Sequence, residues 1–336
     1  MTNKIILSAF CSLLFLFKCT SEKEGIIMTV NGPITSREMR VSLIHEHILV
    51  DFIGADLISE QRWDKGKVIE RAMPFLKQIK DLGCQTLVEC TPEYLGRDPL
   101  LLKFLSYSSG LNILTNTGYY GAVNNKYLPQ HAFTESADQL AFRWTTEWVD
   151  GIEETLAKPG FIKIGVSNDT LSDIHKKLII AAARTHLNTG MTIASHTGPA
   201  IPAFEQLEIL KNEGVGPEAF IWVHAQSEKD LSNHIKAARM GAWIGLDGLN
   251  ENNLEDYVRM IKNLKENNLL KKVLLSHDAG WYEPGKENGG NYRGYTTLFE
   301  KLIPLLRNEN FSRREIHQLL VSNPSKAFTI GVHRIN

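Results

Sequence analysis

The chain has 336 residues, 43% hydrophobic and 22% charged, which suits one large α/β domain or two small ones and allows a substantial buried core. Its formal net charge of −1 offers no basic field for nucleic acid or anionic lipid, so the expected partner is a small molecule.

Residues 1–19 differ from the rest: Lys4, an uncharged stretch from Ile5 to Phe17, then Lys18-Cys19-Thr20-Ser21-Glu22-Lys23-Glu24. This reads as an export signal, too short to span a bilayer as a helix. Leu16-Phe17-Lys18-Cys19 is similar to a bacterial lipobox, with Lys18 where that motif has a small residue, so Cys19 is the candidate lipid anchor in a bacterial envelope. The alternative is translation from Met28, which leaves a cytoplasmic protein. Residues 20–39 read as an N-terminal extension and residues 40–333 as one domain.

From residue 40 onward, β-rich runs alternate with amphipathic ones. Strands are predicted near 41–50, 86–91, 112–118, 160–166, 191–196, 220–225, 242–247 and 273–278. Helices are predicted near 64–82, 98–109, 134–156, 169–189, 201–213, 228–240, 252–269, 295–308 and 312–321, with Gly83, Gly110, Gly190, Gly214 and Gly241 at helix ends. Eight βα units predict a single-domain (β/α)8 barrel. The long connections 119–133 and 279–294 would lie on its C-terminal face, where such barrels build active sites. Cys84 and Cys90 read as core thiols rather than a disulfide framework.

Six residues end these runs. His45 and His47 stand two apart in Val41-Ser42-Leu43-Ile44-His45-Glu46-His47, so a strand's period of two puts both on one face. Lys163, His196, His224 and Asp278 close four further strand patterns. Neutral imidazoles and a carboxylate suit Zn²⁺, and equally Mn²⁺, Co²⁺ or Fe²⁺; zinc is the default expectation. A lysine ammonium among two dications would be repelled, whereas a lysine carboxylated by CO₂ is an anion able to bridge them. The formal set is then His45, His47 and Asp278 on one metal and His196 and His224 on the other, joined by carboxylated Lys163 and a hydroxide. That hydroxide would be the nucleophile, with Asp278 accepting its proton and Tyr120 reaching the hydroxide or the substrate.

These segments together (Leu43-Ile44-His45-Glu46-His47, Gly160-Phe161-Ile162-Lys163-Ile164, Ser195-His196, Val223-His224, Ile244-Gly245-Leu246-Asp247 and Leu275-Ser276-His277-Asp278) resemble the phosphotriesterase family of the amidohydrolase superfamily over residues 40–330. The resemblance implies a (β/α)8 barrel, a dinuclear centre with a carboxylated lysine, and hydrolysis of phosphotriesters or lactones; members are often homodimers. Phosphotriesterases have His, and related lactonases Arg, immediately after the Ile-Gly-Leu-Asp run, where this chain has Gly248. They also carry a relay aspartate after the strand-six histidine, where this chain reads Ala225-Gln226-Ser227. The substrate is therefore left open between lactone and phosphoester. The rival readings are an amide or carboxylate-derivative hydrolase and a non-catalytic, metal-containing surface binding protein.

Other residues carry smaller expectations. His131, His175, His186, His234, His317 and His333 read as hydrogen-bonded core histidines. Strand alternation turns Glu46 and His277 away from the metal face. Asp247 either supports a ligand or bonds loop amides. Trp281, Tyr282 and Tyr292 are candidate pocket walls.

Overall fold

A computed structural model describes residues 24–335, so the expected export segment and Cys19 lie outside the described residues. Eight short strands follow in order: β1 (Ser42–Glu46), β2 (Thr86–Glu89), β3 (Asn112–Leu114, continued by Asn116–Thr117), β4 (Phe161–Gly165), β5 (Ile193–His196), β6 (Phe220–Val223), β7 (Trp243–Leu246) and β8 (Val273–Leu275). Each pairs in parallel with the next. Beyond β8, Asp278 donates its N–H to His45 O at 3.0 Å and His47 donates to Ala279 O at 2.9 Å, tying the last strand back to the first. The α/β alternation is consistent with a (β/α)8 barrel. Runs such as Phe-Ile-Trp-Val in β6 are apolar throughout because both faces of a parallel strand are covered.

The helices are α1 (Lys65–Asp81), α2 (Pro99–Ser109), α3 (Gln130–Thr134), α4 (Ala137–Asp150), α5 (Asp173–Thr189), α6 (Ala200–Asn212), α7 (Leu231–Met240) and α8 (Leu254–Glu266). Three shorter ones close the chain: α9 (Ile303–Asn308), α10 (Arg313–His317) and α11 (Asn323–Phe328). Asp64, Asp98, Ser172 and Asp230 each accept a first-turn N–H at a helix start, and left-handed Gly110 and Gly190 end α2 and α5.

Two expected elements differ. The helix predicted over 134–156 is shorter, Ala137–Asp150, because Ser136 and Gln139 form a reciprocal cap that starts α4 and Gly151 at φ 100° ends it, while α3 forms within the predicted 119–133 connection. The eighth strand stops at Leu275 rather than 278, because His277 and Ala279 give their backbone N–H groups to the Glu46 side chain instead of extending a ladder.

The supposed extension also has structure. Ile26–Thr29 and Gly32–Thr35 form an antiparallel hairpin, with Gly32 at φ 110° beside the Val30-Asn31 turn. Ile27 is fully buried and packs with Phe161, Trp243, Leu274 and Phe328, closing the end of the strand ring away from the ligands. A second apolar layer lies between strands and helices.

Candidate metal centre

The ligands meet because strand ends converge. Between Leu43 and Glu46 the register of β1 slips by one residue against β2. A bulge of this kind lets two sequence neighbours share a face: Ile44 joins the interior apolar cluster, while His45 and His47 line the cavity above it. Lys163 comes from β4, His196 from β5, and His224 and Asp278 from the turns after β6 and β8. His224 and Asp278 both have positive φ, 60° and 52°, a conformation uncommon for residues with side chains.

All six sequence-predicted ligands and Tyr120 line one cavity of ≈150 Å³. One ligand atom each from His45, His224 and Asp278 lies within 4.8 Å of the others. Nε2 of His45, His47 and His224 stands 3.6, 3.0 and 3.8 Å from the Asp278 carboxylate. The His196 ring lies 4.4 Å from that of His224 and 5.0 Å from that of Tyr120. A larger, shallower groove of ≈770 Å³ beside α4 holds four carboxylates and Arg143 but none of these ligands.

Three histidines are held from behind. Asp247, fully buried at the end of β7, takes Nδ1 of His224 on Oδ1 at 2.8 Å and Nδ1 of His45 on Oδ2 at 2.9 Å. It thus supports two of the expected ligands and also bonds one loop amide, the His224 N–H. His47 Nδ1 meets Thr91 Oγ1 at 2.8 Å, and Thr91 is in turn held by the buried Glu89. Engaging each Nδ1 leaves Nε2 as the free nitrogen, the arrangement a metal-binding imidazole requires.

The charges agree with that arrangement. Burial, then the charge of Lys163, pushes His45 down to about 4, so this imidazole is neutral. Burial and His224 hold His196 well below its usual range. Burial opposes ionisation of Asp247, but His224 and His45 outweigh it and keep its carboxyl well below the usual range. The same balance, through His45, His47 and His224, lowers Asp278. Burial and the Asp278 charge push Tyr120 up, so it remains a phenol.

Lys163 is the odd member. It is 2% exposed, and its Nζ has no hydrogen-bond partner among the described residues. A buried amine without an acceptor is costly, and this one lines a cavity with four imidazoles and a carboxylate. Such a donor set fits divalent metal ions, and an orphaned Nζ lining the same cavity fits a lysine that carries a further group.

Sequence reasoning missed Thr91, Glu89 and Gln226. For Thr91 the signal was its place at the strand-two end, two residues after Glu89. Gln226 Oε1 accepts the Asp247 N–H at 3.1 Å, and a Cβ on Gly248 would lie 2.5 Å from Gln226 Nε2. Gly248 and Gln226 are therefore one packing solution.

Of the expected wall aromatics only Trp281 reaches the cavity, joined by Phe52, Tyr127, Val50 and Leu95. Tyr292 is instead buried against Phe75 and bonded to Tyr295, and Tyr282 lies by Lys67 and Arg71. Glu46 and His277 point away from the cavity and bond each other at 2.7 Å. His175, His186 and His234 are buried with backbone partners, but His317 is exposed because α10 turns it to solvent. Cys84 and Cys90 are buried free thiols.

Comparison with known proteins agrees with this geometry. The phosphotriesterase family profile matches residues 25–328. The chain is 31% identical over 291 residues to the phosphotriesterase homology protein of Escherichia coli, covering 85% of this chain and 97% of that one. It is 27% identical over 311 residues to an aryldialkylphosphatase of Saccharolobus solfataricus (88% and 97%) and 24% identical over 375 residues to an N-acetyltaurine hydrolase of Dictyostelium discoideum (92% and 99%). The chain belongs to the phosphotriesterase family.

Proposed function

We propose that this protein is a metal-dependent hydrolase that cleaves an ester-type bond, a lactone or an organophosphate ester, in a small molecule. The observation that carries the reading is the convergence in one cavity of four imidazoles, Asp278 and Lys163, whose buried Nζ has no partner among the described residues. His45, His47 and Asp278 would hold one divalent ion, His196 and His224 a second, and Lys163, carboxylated by CO₂, would join them; zinc is the first expectation. Metal ions there supply a Lewis acid and a water of lowered pKa.

The chain's own residues do the rest. Asp278, kept ionised, is placed to take the proton released when water attacks. Tyr120, kept protonated, is placed to donate a hydrogen bond to the substrate oxygen. Val50, Phe52, Leu95, Tyr127 and Trp281 exclude water and accept an apolar substituent. Apart from Lys163, no lysine or arginine stands among the described residues lining the cavity, which favours an uncharged substrate over a phosphorylated or sulfonated one.

A second reading, amide hydrolysis, is favoured by the similarity to an N-acetyltaurine hydrolase. The test is a metal count combined with a panel of lactones, aryl phosphotriesters, aryl carboxylates and N-acyl amides. Turnover confined to amides would overturn the ester reading. Full metal occupancy with no turnover, unchanged by Asp278→Asn, would favour a binding protein. Export with Cys19 as the acylated residue is also proposed, and mass spectrometry of the mature N-terminus tests it.

A further inference from the structure

We infer that Glu46, the residue between the two histidines of the first strand, is a positioning residue that sets Asp278. The inference rests on the functional reading above for the importance of Asp278, and on the following geometry for the rest.

Glu46 is fully buried and accepts four hydrogen bonds, all from the segment that carries Asp278. Oε1 accepts from Ser276 Oγ at 2.7 Å, His277 N at 3.0 Å and His277 Nδ1 at 2.7 Å, and Oε2 accepts from Ala279 N at 2.9 Å. The donors flank Asp278 on both sides and skip it. Three donors thus converge on one oxygen and one on the other, so the side chain is held from two directions.

His277 extends the clamp. Its Nε2 accepts the Leu298 N–H at 3.0 Å, so its proton sits on Nδ1, facing Glu46. The carboxylate thus ties β1 through one neutral imidazole to the turn that leads into α9. Backbone contacts complete the alignment: Asp278 N donates to His45 O, His47 N donates to Ala279 O, and His45 N donates to Ser276 Oγ at 3.0 Å. The three residues His45, Glu46 and His47 therefore place three members of the site, two directly and Asp278 through Glu46. Asp278 needs such help, because its left-handed backbone would relax once the flanking residues were released.

The test is Glu46→Gln in full-length protein, with His277→Gln as a second variant that keeps the carboxylate and removes its imidazole donor. Thr192→Val, at the opposite end of the strand ring where Thr192 bonds Ala327 O, is the control for general destabilisation. Three quantities are read: amide exchange at His277 and Ala279, the rate of zinc loss to a chelator, and kcat and KM separately.

Glu46→Gln is expected to speed exchange at both amides, speed zinc loss about tenfold or more and lower kcat by a similar factor with KM within about twofold. His277→Gln should act in the same direction and Thr192→Val should leave zinc loss unchanged. If Glu46→Gln does not fold, His277→Gln decides. Unchanged exchange, zinc retention and kcat in the variant that folds would overturn the inference. Failure of the hydrolase reading shows elsewhere, as a wild-type protein without turnover on the panel, and the exchange measurement needs no turnover.

Discussion

Asp247 grips His224 twice through a single oxygen, Oδ1, which accepts both the backbone N–H at 3.0 Å and the ring Nδ1–H at 2.8 Å. The double contact holds His224 in its left-handed turn and fixes the proton on Nδ1. The other oxygen, Oδ2, meets only the ring Nδ1 of His45, at 2.9 Å. Replacing Asp247 by Asn turns one of these acceptors into a donor facing an N–H. Asp247→Asn should therefore lower kcat/KM and metal affinity by roughly 10–100-fold while the protein still folds. Steady-state kinetics with a metal titration checks this; wild-type values for both would contradict the supporting role.

Lys163 should trade stability against function. Its buried Nζ lacks a partner, and leaving such a group unsatisfied costs roughly 1–3 kcal/mol. Lys163→Met keeps the volume and removes the amine, so the metal-free variant should melt higher than the metal-free parent. The same variant should hold fewer than two metals and lose activity by on the order of 100-fold or more. Calorimetry with chelator and metal analysis decide, and full activity with two metals per chain would remove Lys163 from the centre.

Metal-free protein should lose stability in weak acid. Burial and Lys163 depress His45 from 6.5 to about 4, so between those values the unfolded chain binds the extra proton and stability rises with pH. The contribution is complete above the unfolded value and is lost as pH falls through about 4; for His45 it is on the order of 3 kcal/mol. His196 acts in the same sense, whereas His224, raised because Asp247 outweighs its burial, acts against them. Thermal melts in chelator should show Tm falling from pH 6.5 toward 4, and a flat profile would refute the assignment.

Gly248 and Gln226 should be coupled. A methyl group at 248 would displace the Gln226 carboxamide and break its bond to Asp247 N. Gly248→Ala should cost about 1 kcal/mol in the parent and little in a Gln226→Ala background. A double-mutant cycle on Tm and kcat/KM measures the coupling, and additive effects would show that the two positions do not share the space.

Much of the site could be read from residue types at strand ends. The expected ligand set came from short apolar runs closed by His or Asp and from Lys163 inside the Phe-Ile-Lys-Ile-Gly run, which the structure places in mid-strand rather than at a strand end. The bulge in β1 could not be read, because one slipped pairing leaves no mark in the Ser-Leu-Ile-His-Glu run. Nor could the supports: Thr91, Glu89 and Glu46 are ordinary polar residues until the fold sets them behind particular nitrogens or amides. The start of α4 at Ser136 was legible, since Ser-x-x-Gln is a capping pattern. Tyr292 misled because a loop aromatic has the same composition whether it faces a cavity or, as here, Phe75.

The N-terminal hairpin joins two distant parts of the chain. Ile26 pairs with Thr35, Ile27 pairs with Ile34, and Ile330 N donates to Ile26 O at 2.8 Å. Ile27 is buried with Phe161 and Phe328, so the hairpin works as a clasp that joins the residues before β1 to the floor of the strand ring and to the segment after α11.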